Sequence, residues 1–224
     1  MDDETPTTEK SANPKKRLLI ILGAIVIVVG ALLFMQLRPE GGDKKAYVWT
    51  EQTVQHSTDS PSEQQLDDGF AWKGAANDPK KITISSQGID GFIQKVGVDQ
   101  NKQIAVPNNI HIGGWFVDSV RPGDKGLSII DGHVNGRVSD AGIFKQLSKV
   151  KEGDTVTVTF GDNTTKSFKV FYADETKTAD AAAVLFSQSP TVTNQLNLIT
   201  CVGTFIAAEK TYDKRFIVQA ELIK

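Results

Sequence analysis

Hydrophobic and polar positions divide the chain into three stretches. The run Leu18–Leu37 is apolar at every position except two glycines and one glutamine. Residues 38–79 are mostly polar, with glycine, serine and proline scattered among them. Residues 80–224 contain short segments in which apolar and polar positions alternate, separated by turn-forming residues. The pattern predicts a membrane span, a linking segment and one folded domain, in that order.

The apolar run has the length of a transmembrane helix. It extends from position 18 to position 37, and about 20 residues are needed to cross the hydrocarbon core of a bilayer. A cleavable signal peptide has a shorter apolar region that ends in small residues, whereas this run ends in Leu-Phe-Met-Gln-Leu. Three basic residues at positions 15–17 precede the run and Arg38 follows it, which favours a cytoplasmic N-terminus. We therefore expect a cytoplasmic tail over residues 1–17, a signal anchor over residues 18–37 and an extracytoplasmic remainder at the cell membrane.

The stretch after the anchor is predicted to be a flexible stalk. Residues 38–79 carry too few apolar side chains to offset the entropy of ordering them. Trp49, Phe70 and Trp72 are exceptions, and we expect them to make isolated contacts with the domain or with the membrane interface. The folded domain is assigned to residues 80–224.

The domain shows the alternation of β-strands. Residues 155–160 read TVTVTF, and a Gly-Asp-Asn turn separates them from a second segment with Phe168, Val170 and Tyr172 on one face. Further strands are expected at 81–86, 91–96, 103–106, 127–130, 195–201 and 215–223, with short helices near 141–147 and 180–186. About eight short strands with turns between them predict a mainly β domain, either a small closed barrel or a sandwich.

Charge and cysteine content exclude several function classes. The net charge is −2, from 25 basic and 27 acidic residues. The chain therefore has no basic surplus to neutralise phosphates, and nucleic acid is not an expected partner. The single cysteine excludes an internal disulfide and a thiolate metal cluster.

That cysteine, Cys201, is a candidate nucleophile. It ends a predicted strand in which Leu196 and Leu198 share one face, while Cys201 lies on the other face with Asn197. A thiol at a strand end and off the apolar face can be reached by a substrate. A free thiol outside the cytoplasm is also open to oxidation, so one without a purpose would be a liability. The alternative for a lone cysteine is a small buried hydrophobe.

Three histidines and one arginine are the candidate partners of the thiol. His133 lies between two glycines in DGHVNG, which lets the backbone turn sharply and present the imidazole; a turn histidine bonded to the backbone is the alternative. His111 alternates with isoleucines and is expected to be structural or exposed, and His56 is expected to be solvated. Arg215 opens the last predicted strand, with a solvated strand-edge charge as its alternative role. Its side chain should lie opposite the apolar face formed by Phe216, Val218, Ala220 and Leu222.

In this order, the segments DGHVNG, NLITC and KRFIVQAEL resemble the motifs of the sortases, which are membrane-anchored cysteine transpeptidases with an eight-stranded β-barrel. The family signature is TLxTC, followed by a strand with a catalytic arginine and preceded by a histidine. The resemblance covers the whole predicted domain, and VPNNIHIGGWF, AGIFKQL and EGDTVTV are most similar to class F. It implies a sortase-type barrel with one or two short helices behind the transmembrane helix. It also implies His133, Cys201 and Arg215 as the catalytic residues.

The same resemblance implies a substrate and partners. Secreted proteins with an LPXTG-like C-terminal signal would be cut between Thr and Gly through a thioester and joined to an amine of a peptidoglycan precursor or a pilin. Residues 174–194 would form a wall of the groove that binds the signal. The candidate substrate contacts are Thr200, Ala182, Val184, Leu185 and Phe186, with core packing as the alternative for the last four. No acidic cluster resembles the calcium site of some class A sortases, so neither a metal nor another cofactor is expected.

Two alternatives from other classes stay open at this point. A non-catalytic, membrane-anchored β domain that acts as an adhesin or scaffold would have the same composition. An L,D-transpeptidase also combines cysteine and histidine on a β scaffold, but with the histidine shortly before the cysteine and an arginine just after it. Here His133 lies far before Cys201 in the sequence, and Arg215 follows only after an intervening segment. Labelling of Cys201 in the folded protein by a small thiol reagent separates a reactive thiol from a core thiol.

Overall fold

The computed structural model describes residues 53–66 and 70–223. Within this part of the chain eight β-strands close into a single barrel. The strand pattern left a barrel or a sandwich open, and the structure confirms the barrel that the resemblance implied. The strands are β1 (Pro79–Ile84), β2 (Ile89–Val96), β3 (Gly113–Phe116), β4 (Gly126–Asp131), β5 (Thr155–Phe160), β6 (Thr165–Lys177), β7 (Asn194–Ile206) and β8 (Thr211–Leu222). One short helix, α1 (Ala181–Leu185), and two 3-10 turns (Ser85–Gln87 and Leu147–Lys149) are added to them.

The barrel order is β1-β2-β3-β4-β7-β8-β6-β5, closed by β5 on β1. The pairs β2–β3 and β4–β7 are parallel, and the other neighbours are antiparallel. The central pair β7–β8 therefore lies between β4 on one side and β6 on the other. The end of β4 therefore lies beside β7, which in turn lies beside β8. Cys201 and Arg215 lie inside β7 and β8 and not at the strand ends that the sequence predicted, because both strands are longer than expected.

The inner face of the barrel is filled by the alternating apolar residues of the strands. The predicted stripe of Val156, Val158 and Phe160 lies in this core. The next stripe starts as expected with Phe168 and Val170, but a β-bulge after Val170 shifts the register of β6 against β8. Because a bulge adds one residue to a strand, Ala173 turns toward the core in place of the predicted Tyr172.

Two predicted elements differ from the structure. The strand expected at residues 103–106 is a loop with a single isolated bridge from Ile104 to Val98. The helix expected at residues 141–147 is a series of turns, because two of its backbone N–H groups donate to carbonyls of other loops: Ile143 to Ile110 at 2.7 Å and Phe144 to His133 at 3.0 Å.

One strand was missed in the sequence. β3 reads Gly-Gly-Trp-Phe, and glycine is rare in strands because it has no side chain to pack. The barrel nevertheless requires a glycine here, since a Cβ at Gly114 would clash with the carboxylate of Asp131 on β4. The tertiary contact therefore outweighs the local preference.

A second cluster of apolar residues lies on the outer face of the barrel. α1 packs Ala181 and Leu185 against it, and Val184 is partly buried there. The expected helix at residues 180–186 is thus present with slightly tighter bounds. The buried strand residues of this cluster are Val96, Phe116, Ile129 and Ile217, and Leu127 and Ile199 are partly buried against them.

The described part of the predicted stalk contacts the barrel. Val54 forms a parallel bridge with Val96 at the end of β2. The indole N–H of Trp72 donates to the carbonyl of Ile93 at 2.9 Å, and the rings of Phe70 and Phe92 lie 4.7 Å apart. Polar composition suggested a free segment, whereas backbone pairing and a few aromatic contacts hold these residues on the domain.

No helix among the described residues is long and apolar enough to span a membrane. The predicted tail and anchor, residues 1–17 and 18–37, lie outside the described residues, and so does Trp49.

Candidate active site

The central strand pair brings the candidate nucleophile and the candidate cation together. Cys201 on β7 lies directly opposite Arg215 on β8 in the antiparallel register. Directly opposite residues of such a pair point to the same face, with Cβ atoms about 4.5–5.5 Å apart. Leu196 and Leu198 point into the barrel core, so the thiol and the guanidinium share the outer face.

His133 follows the end of β4, the parallel neighbour of β7. Asp131, the last residue of β4, pairs with Ile199, and the amide of Gly132 donates to the carbonyl of Ile199 at 3.2 Å. The hydroxyl of Thr200 in turn donates to the carbonyl of Gly132 at 2.8 Å. Both strands run in the same direction, so continuing this register by two residues would bring the backbone of His133 level with Cys201. We call His133, Cys201 and Arg215 the row.

The imidazole of His133 is oriented by a backbone carbonyl. Its Nε2 lies 2.7 Å from the carbonyl oxygen of Pro107. A carbonyl oxygen can only accept, so Nε2 carries the hydrogen of the neutral ring and Nδ1 is the free acceptor. The ring is therefore fixed in one tautomer with one nitrogen available for proton transfer.

Burial sets the resting charge of this pair. Loss of solvation raises the pKa of the Cys201 thiol; the charge of Arg215 lowers it, and that of Asp131 raises it further. Burial likewise lowers the pKa of His133, against the opposing effect of its bond to Pro107. Both shifts favour the neutral thiol and the neutral imidazole over the thiolate and the imidazolium.

The guanidinium of Arg215 is held by four acceptors. Nη1 donates to the hydroxyl of Thr178 at 2.9 Å and to the carbonyls of Tyr212 and Lys214, each at 3.0 Å. Nη2 donates to the hydroxyl of Thr211 at 2.8 Å. These contacts fix the direction of a long side chain that would otherwise sample many rotamers.

The prediction that Arg215 lies opposite the apolar face of its strand is confirmed, since Phe216, Val218 and Ala220 are in the barrel core. The neighbouring lysine points elsewhere: the Nζ of Lys214 lies 2.9 Å from a carboxylate oxygen of Glu175. Lys214 is therefore the partly solvated charge of this strand, whereas the Arg215 guanidinium is held by the protein.

A buried carboxyl group beneath the row was missed in the sequence. Asp131 is only 7% exposed, and its Oδ1 has no hydrogen-bond partner among the described residues. Burial raises its pKa well above the usual value. The signal in the sequence is the aspartate that ends the apolar run of β4, two residues before His133. The burial of this carboxyl group follows from the pairing of β3 with β4, which places it against Gly114.

The loop after His133 is held by Glu63, which lies in the segment before β1. The carboxylate of Glu63 accepts hydrogen bonds from the backbone amides of Arg137 at 2.5 Å, Val138 at 3.1 Å and Ser139 at 2.7 Å. These bonds lower the pKa of Glu63. From the other side, the hydroxyl of Tyr212 donates to the side chain of Asn135 at 3.0 Å.

The other histidines lie outside the row. His56 is exposed, as expected. His111 is partly buried and its Nε2 lies 3.3 Å from the carbonyl of Glu63, so it supports the segment that holds the His133 loop. This agrees with the expectation of a structural role.

The predicted substrate contacts fall into two groups. The Thr200 side chain is buried and donates to the carbonyl of Gly132, so it joins β7 to the segment before His133; its contact with substrate stays a prediction. Leu185 is buried in the outer cluster and Val184 packs against it, which is the core-packing alternative. Ala182 is exposed, and Phe186 is 52% exposed.

The amide of Asn197, which replaces a threonine of the signature, connects β7 to the helix above it. Its Nδ2 donates to the carbonyl of Leu185 at 2.7 Å, and its Oδ1 accepts from Gln195 at 2.8 Å. Among the described residues, no group of three or more His, Cys, Asp and Glu side chains could hold a metal ion.

Comparison with known proteins gives the family. The model of the sortase domain matches residues 82–223. A lid mutant of sortase A from Corynebacterium diphtheriae has a similar structure, with a TM-score of 0.51 at 22% identity over 68% of this chain and 73% of that chain. Sortase A from Corynebacterium diphtheriae gives 0.49 at 22% identity over 68% and 63%. Sortase C2 of pilus island 1 from group B Streptococcus gives 0.47 at 22% identity over 65% and 73%. No match was found among curated proteins.

The family match covers more than half of the chain and includes all three residues of the row. The observed barrel is the one that the motifs implied, and the first of these structures shares its fold. The class F resemblance stays a prediction. The chain belongs to the sortase family, and it is a cysteine transpeptidase.

Proposed function

We propose that this sortase cleaves an LPXTG-like sorting signal between threonine and glycine and transfers the protein to an amine of a cell-wall precursor or a pilin. The observation that carries the proposal is the strand arrangement around Cys201: Arg215 lies directly opposite it, and β4, which pairs with β7, leads into His133. This arrangement combines a nucleophile, an acid/base group and a permanent cation, which are the groups that acyl transfer from an amide needs.

The first step forms the nucleophile. A thiolate attacks an amide far better than a thiol does, and the resting pair is neutral because of the pKa shifts of Cys201 and His133. Since Nε2 of His133 already donates to Pro107, Nδ1 is the nitrogen that accepts the thiol proton. The positive charge of Arg215 favours this transfer because it lowers the pKa of the thiol.

The second step forms the acyl-enzyme. Sγ of Cys201 bonds to the threonine carbonyl carbon, and the electron pair of the C=O bond moves to the oxygen. Arg215 stabilises this oxyanion. When the carbonyl re-forms, the C–N bond to glycine breaks, and the leaving nitrogen takes the proton from Nδ1 of His133. The products are a thioester on Cys201 and a free peptide that begins with glycine.

The third step transfers the protein. An amine attacks the thioester carbon and gives one proton to His133, and the thiolate leaves as the new amide forms. The thiolate then regains the proton, so the cycle returns the enzyme to its starting state with no net change in protons and with no group beyond the three side chains.

The exposed apolar residues near the row support binding of the apolar part of the signal. The exposed ring of Phe186, beyond the end of α1, lies 6.4 Å from the ring of Phe116. Ile199 is half-buried two residues before Cys201 on the same face. Ala182 and Val184 add further apolar surface on the helix. We propose that these side chains contact the leucine and its neighbours in the signal.

We also propose that residues 18–37 anchor the enzyme in the cell membrane, with residues 1–17 in the cytoplasm and the barrel outside. An apolar run long enough to cross a bilayer, with basic residues before it, supports this orientation. Protease added to spheroplasts should remove the barrel. Full protection of the barrel would contradict the orientation.

The test of the proposed reaction is a transfer assay on the full chain. Peptides of the form LPXTG, varied at X, are incubated with oligoglycine or with lysine-containing peptides, and the products are identified by mass spectrometry. We expect a ligated product and a thioester on Cys201. Cys201→Ala is the matched control, and it should abolish both cleavage and transfer because the chain has no other thiol. Turnover by a folded Cys201→Ala variant, or no thioester with any peptide, would contradict the proposal.

A further inference from the structure

Two threonine hydroxyls form a small polar cluster around the guanidinium of Arg215, beside the proposed catalytic row. Thr178 follows the end of β6 and Thr211 begins β8, so two separate segments contribute to it. Both side chains are half-buried. Each accepts a hydrogen bond from a different terminal nitrogen of the guanidinium, at 2.9 and 2.8 Å.

Thr178 is itself held so that it can only accept from Arg215. Its hydroxyl proton goes to the carbonyl of Tyr212, with an oxygen–oxygen distance of 2.7 Å. Its backbone N–H donates to the carbonyl of Asp213 at 3.0 Å. A hydroxyl has one hydrogen and two lone pairs, so the hydrogen is used for the strand and a lone pair remains for Arg215.

The arrangement uses only part of the donor set of the guanidinium. Arginine has five N–H donors; Nη1 has two of them and shares them among three acceptors. Nη2 donates one to Thr211. Nε–H and one N–H of Nη2 have no partner among the described residues, and these two nitrogens are neighbours on one edge of the planar group.

We propose that Thr178 and Thr211, the threonine clamp, are positioning residues that hold Arg215 beside Cys201 and leave its Nε–Nη2 edge for the substrate. The two remaining donors suit the oxyanion that forms from the threonine carbonyl of the signal. This inference rests on the proposed role of Arg215 in the transfer reaction. The clamp acts through Arg215 and has no contact of its own with the reacting atoms.

Substitution by valine or by serine tests the hydrogen bonds of the clamp. Valine has nearly the shape of threonine but has no hydroxyl. At position 178 it removes one of the three acceptors of Nη1, and at position 211 it removes the acceptor of Nη2. A serine retains the hydroxyl and loses only a methyl group. The pair of substitutions therefore separates the hydrogen bond from the packing.

The test compares Thr178→Val, Thr178→Ser and Thr178→Val/Thr211→Val in the full chain, with Thr165→Val as the matched control. Thr165 is an exposed threonine at the other end of β6. On an LPXTG peptide, we expect kcat of the double variant to fall on the order of 10², since small errors in the position of a catalytic group can cost that much. KM should change little, because the oxyanion exists only in the transition state. Thr178→Ser should restore turnover, and Thr165→Val should match wild type.

A double-mutant cycle connects the clamp to its target. In an Arg215→Ala background, Thr178→Val should cause no further loss, because the group that it positions is absent. A loss as large as in the wild-type background would overturn the proposal. A double variant with faster turnover than wild type would also overturn it, since the clamp would then hold Arg215 away from the substrate.

A second measurement tests the role of the clamp without a substrate peptide. The rate of Cys201 alkylation by iodoacetamide is followed against pH. A displaced cation should shift the thiol titration to higher pH in the double variant and leave it unchanged in Thr178→Ser. If wild type processes no peptide but the shift is observed, the proposed function fails and the clamp stands. An unchanged titration in the double variant overturns the clamp.

Discussion

Arg215 and His133 flank the same thiol, but they are held there in different ways. Arg215 lies directly opposite Cys201 in a hairpin, and three of its four acceptors lie within four residues of it. His133 lies in a turn after β4, and its ring is held by the carbonyl of Pro107 in a separate loop. Its own loop is held by Glu63, which belongs to the segment before β1.

The comparison shows that one side of the row depends on local strand register and the other on long-range contacts. Register between two long antiparallel strands is strongly specified when one face is buried. A loop held by a distant carboxylate depends on the folding of that distant segment as well. We therefore expect variants on the arginine side to change the chemistry and variants on the histidine side to change the position of the loop too.

The largest effects are expected for the two partner residues of Cys201, Arg215 and His133, each with a loss on the order of 10² or more. Removal of one oxyanion donor costs about 2.7–4 kcal/mol of barrier, or roughly 10²–10³ in rate, so Arg215→Ala should lose at least this factor. Arg215→Lys should recover little, because an ammonium group lacks the planar fork and cannot use the same acceptors. Transfer rates at saturating LPXTG peptide measure both variants.

Lys214 is the matched control for Arg215. It is the adjacent basic residue, and its side chain contacts Glu175 and not the threonine clamp. Lys214→Ala should stay within several-fold of wild type. If Lys214→Ala were the inactive variant, with all variants folded by circular dichroism, the assignment of the cation would be wrong.

The second of these partner residues is His133. A positioned acid/base group contributes about 10²–10⁴, so His133→Ala should lose a factor on the order of 10² or more. His111→Ala should lose much less, because the imidazole of His111 bonds to the backbone carbonyl of Glu63 and has no contact with Cys201 among the described residues. The kcat/KM of both variants gives the ranking, and the reverse order would show that the wrong histidine was chosen.

A smaller effect is expected for Glu63, which tests the long-range side of the comparison. Glu63→Ala leaves three backbone amides of the His133 loop without their acceptor. We expect a several-fold loss of kcat/KM and faster hydrogen exchange at the amides of Arg137, Val138 and Ser139. Mass spectrometry of peptic fragments measures the exchange.

The control for Glu63 is Asp59→Ala on the same segment. Asp59 pairs with Lys210 at 2.7 Å, but their side chains are 73% and 71% exposed, and such surface pairs contribute little. If Asp59→Ala loosened the His133 loop as much as Glu63→Ala, the segment as a whole would hold the loop, and the carboxylate of Glu63 would have no special part.

The smallest effect on turnover, and the clearest on stability, is expected for Asp131→Asn. In the unfolded chain an aspartate ionises near pH 4, whereas burial raises the pKa of Asp131 in the fold. Between these two values the folded state binds more protons, so the free energy of unfolding falls as the pH rises. Relative to the variant, wild type should lose about 1.4 kcal/mol per pH unit in this window.

Urea unfolding of both proteins from pH 4 to pH 8 measures this difference. The exposed Asp118→Asn serves as the control for loss of a carboxylate. A constant difference between wild type and Asp131→Asn over the whole range would mean that the buried carboxyl group titrates as it does in water.

Several features of the fold followed from the sequence alone. Strict alternation in residues 155–160 predicted β5 with its correct bounds, because a segment that alternates apolar and polar residues buries one face as a β-strand and not as a helix. The opposite faces of Leu198 and Cys201, and of Val218 and Arg215, follow from the same period of two. The order of histidine, cysteine and arginine motifs was enough for the resemblance to the sortases.

Only the tertiary structure decided which distant residues complete the site. In the sequence Asp131 is only a polar residue after an apolar run, and its burial depends on a glycine in β3, a strand that the sequence did not predict. The threonine clamp joins the ends of β6 and β8, and the carboxylate of Glu63 reaches across to the loop after His133. Periodicity reports which face a residue occupies within its own element. Contacts between elements depend on register, bulges and closure of the barrel, which arise only when the whole sheet forms.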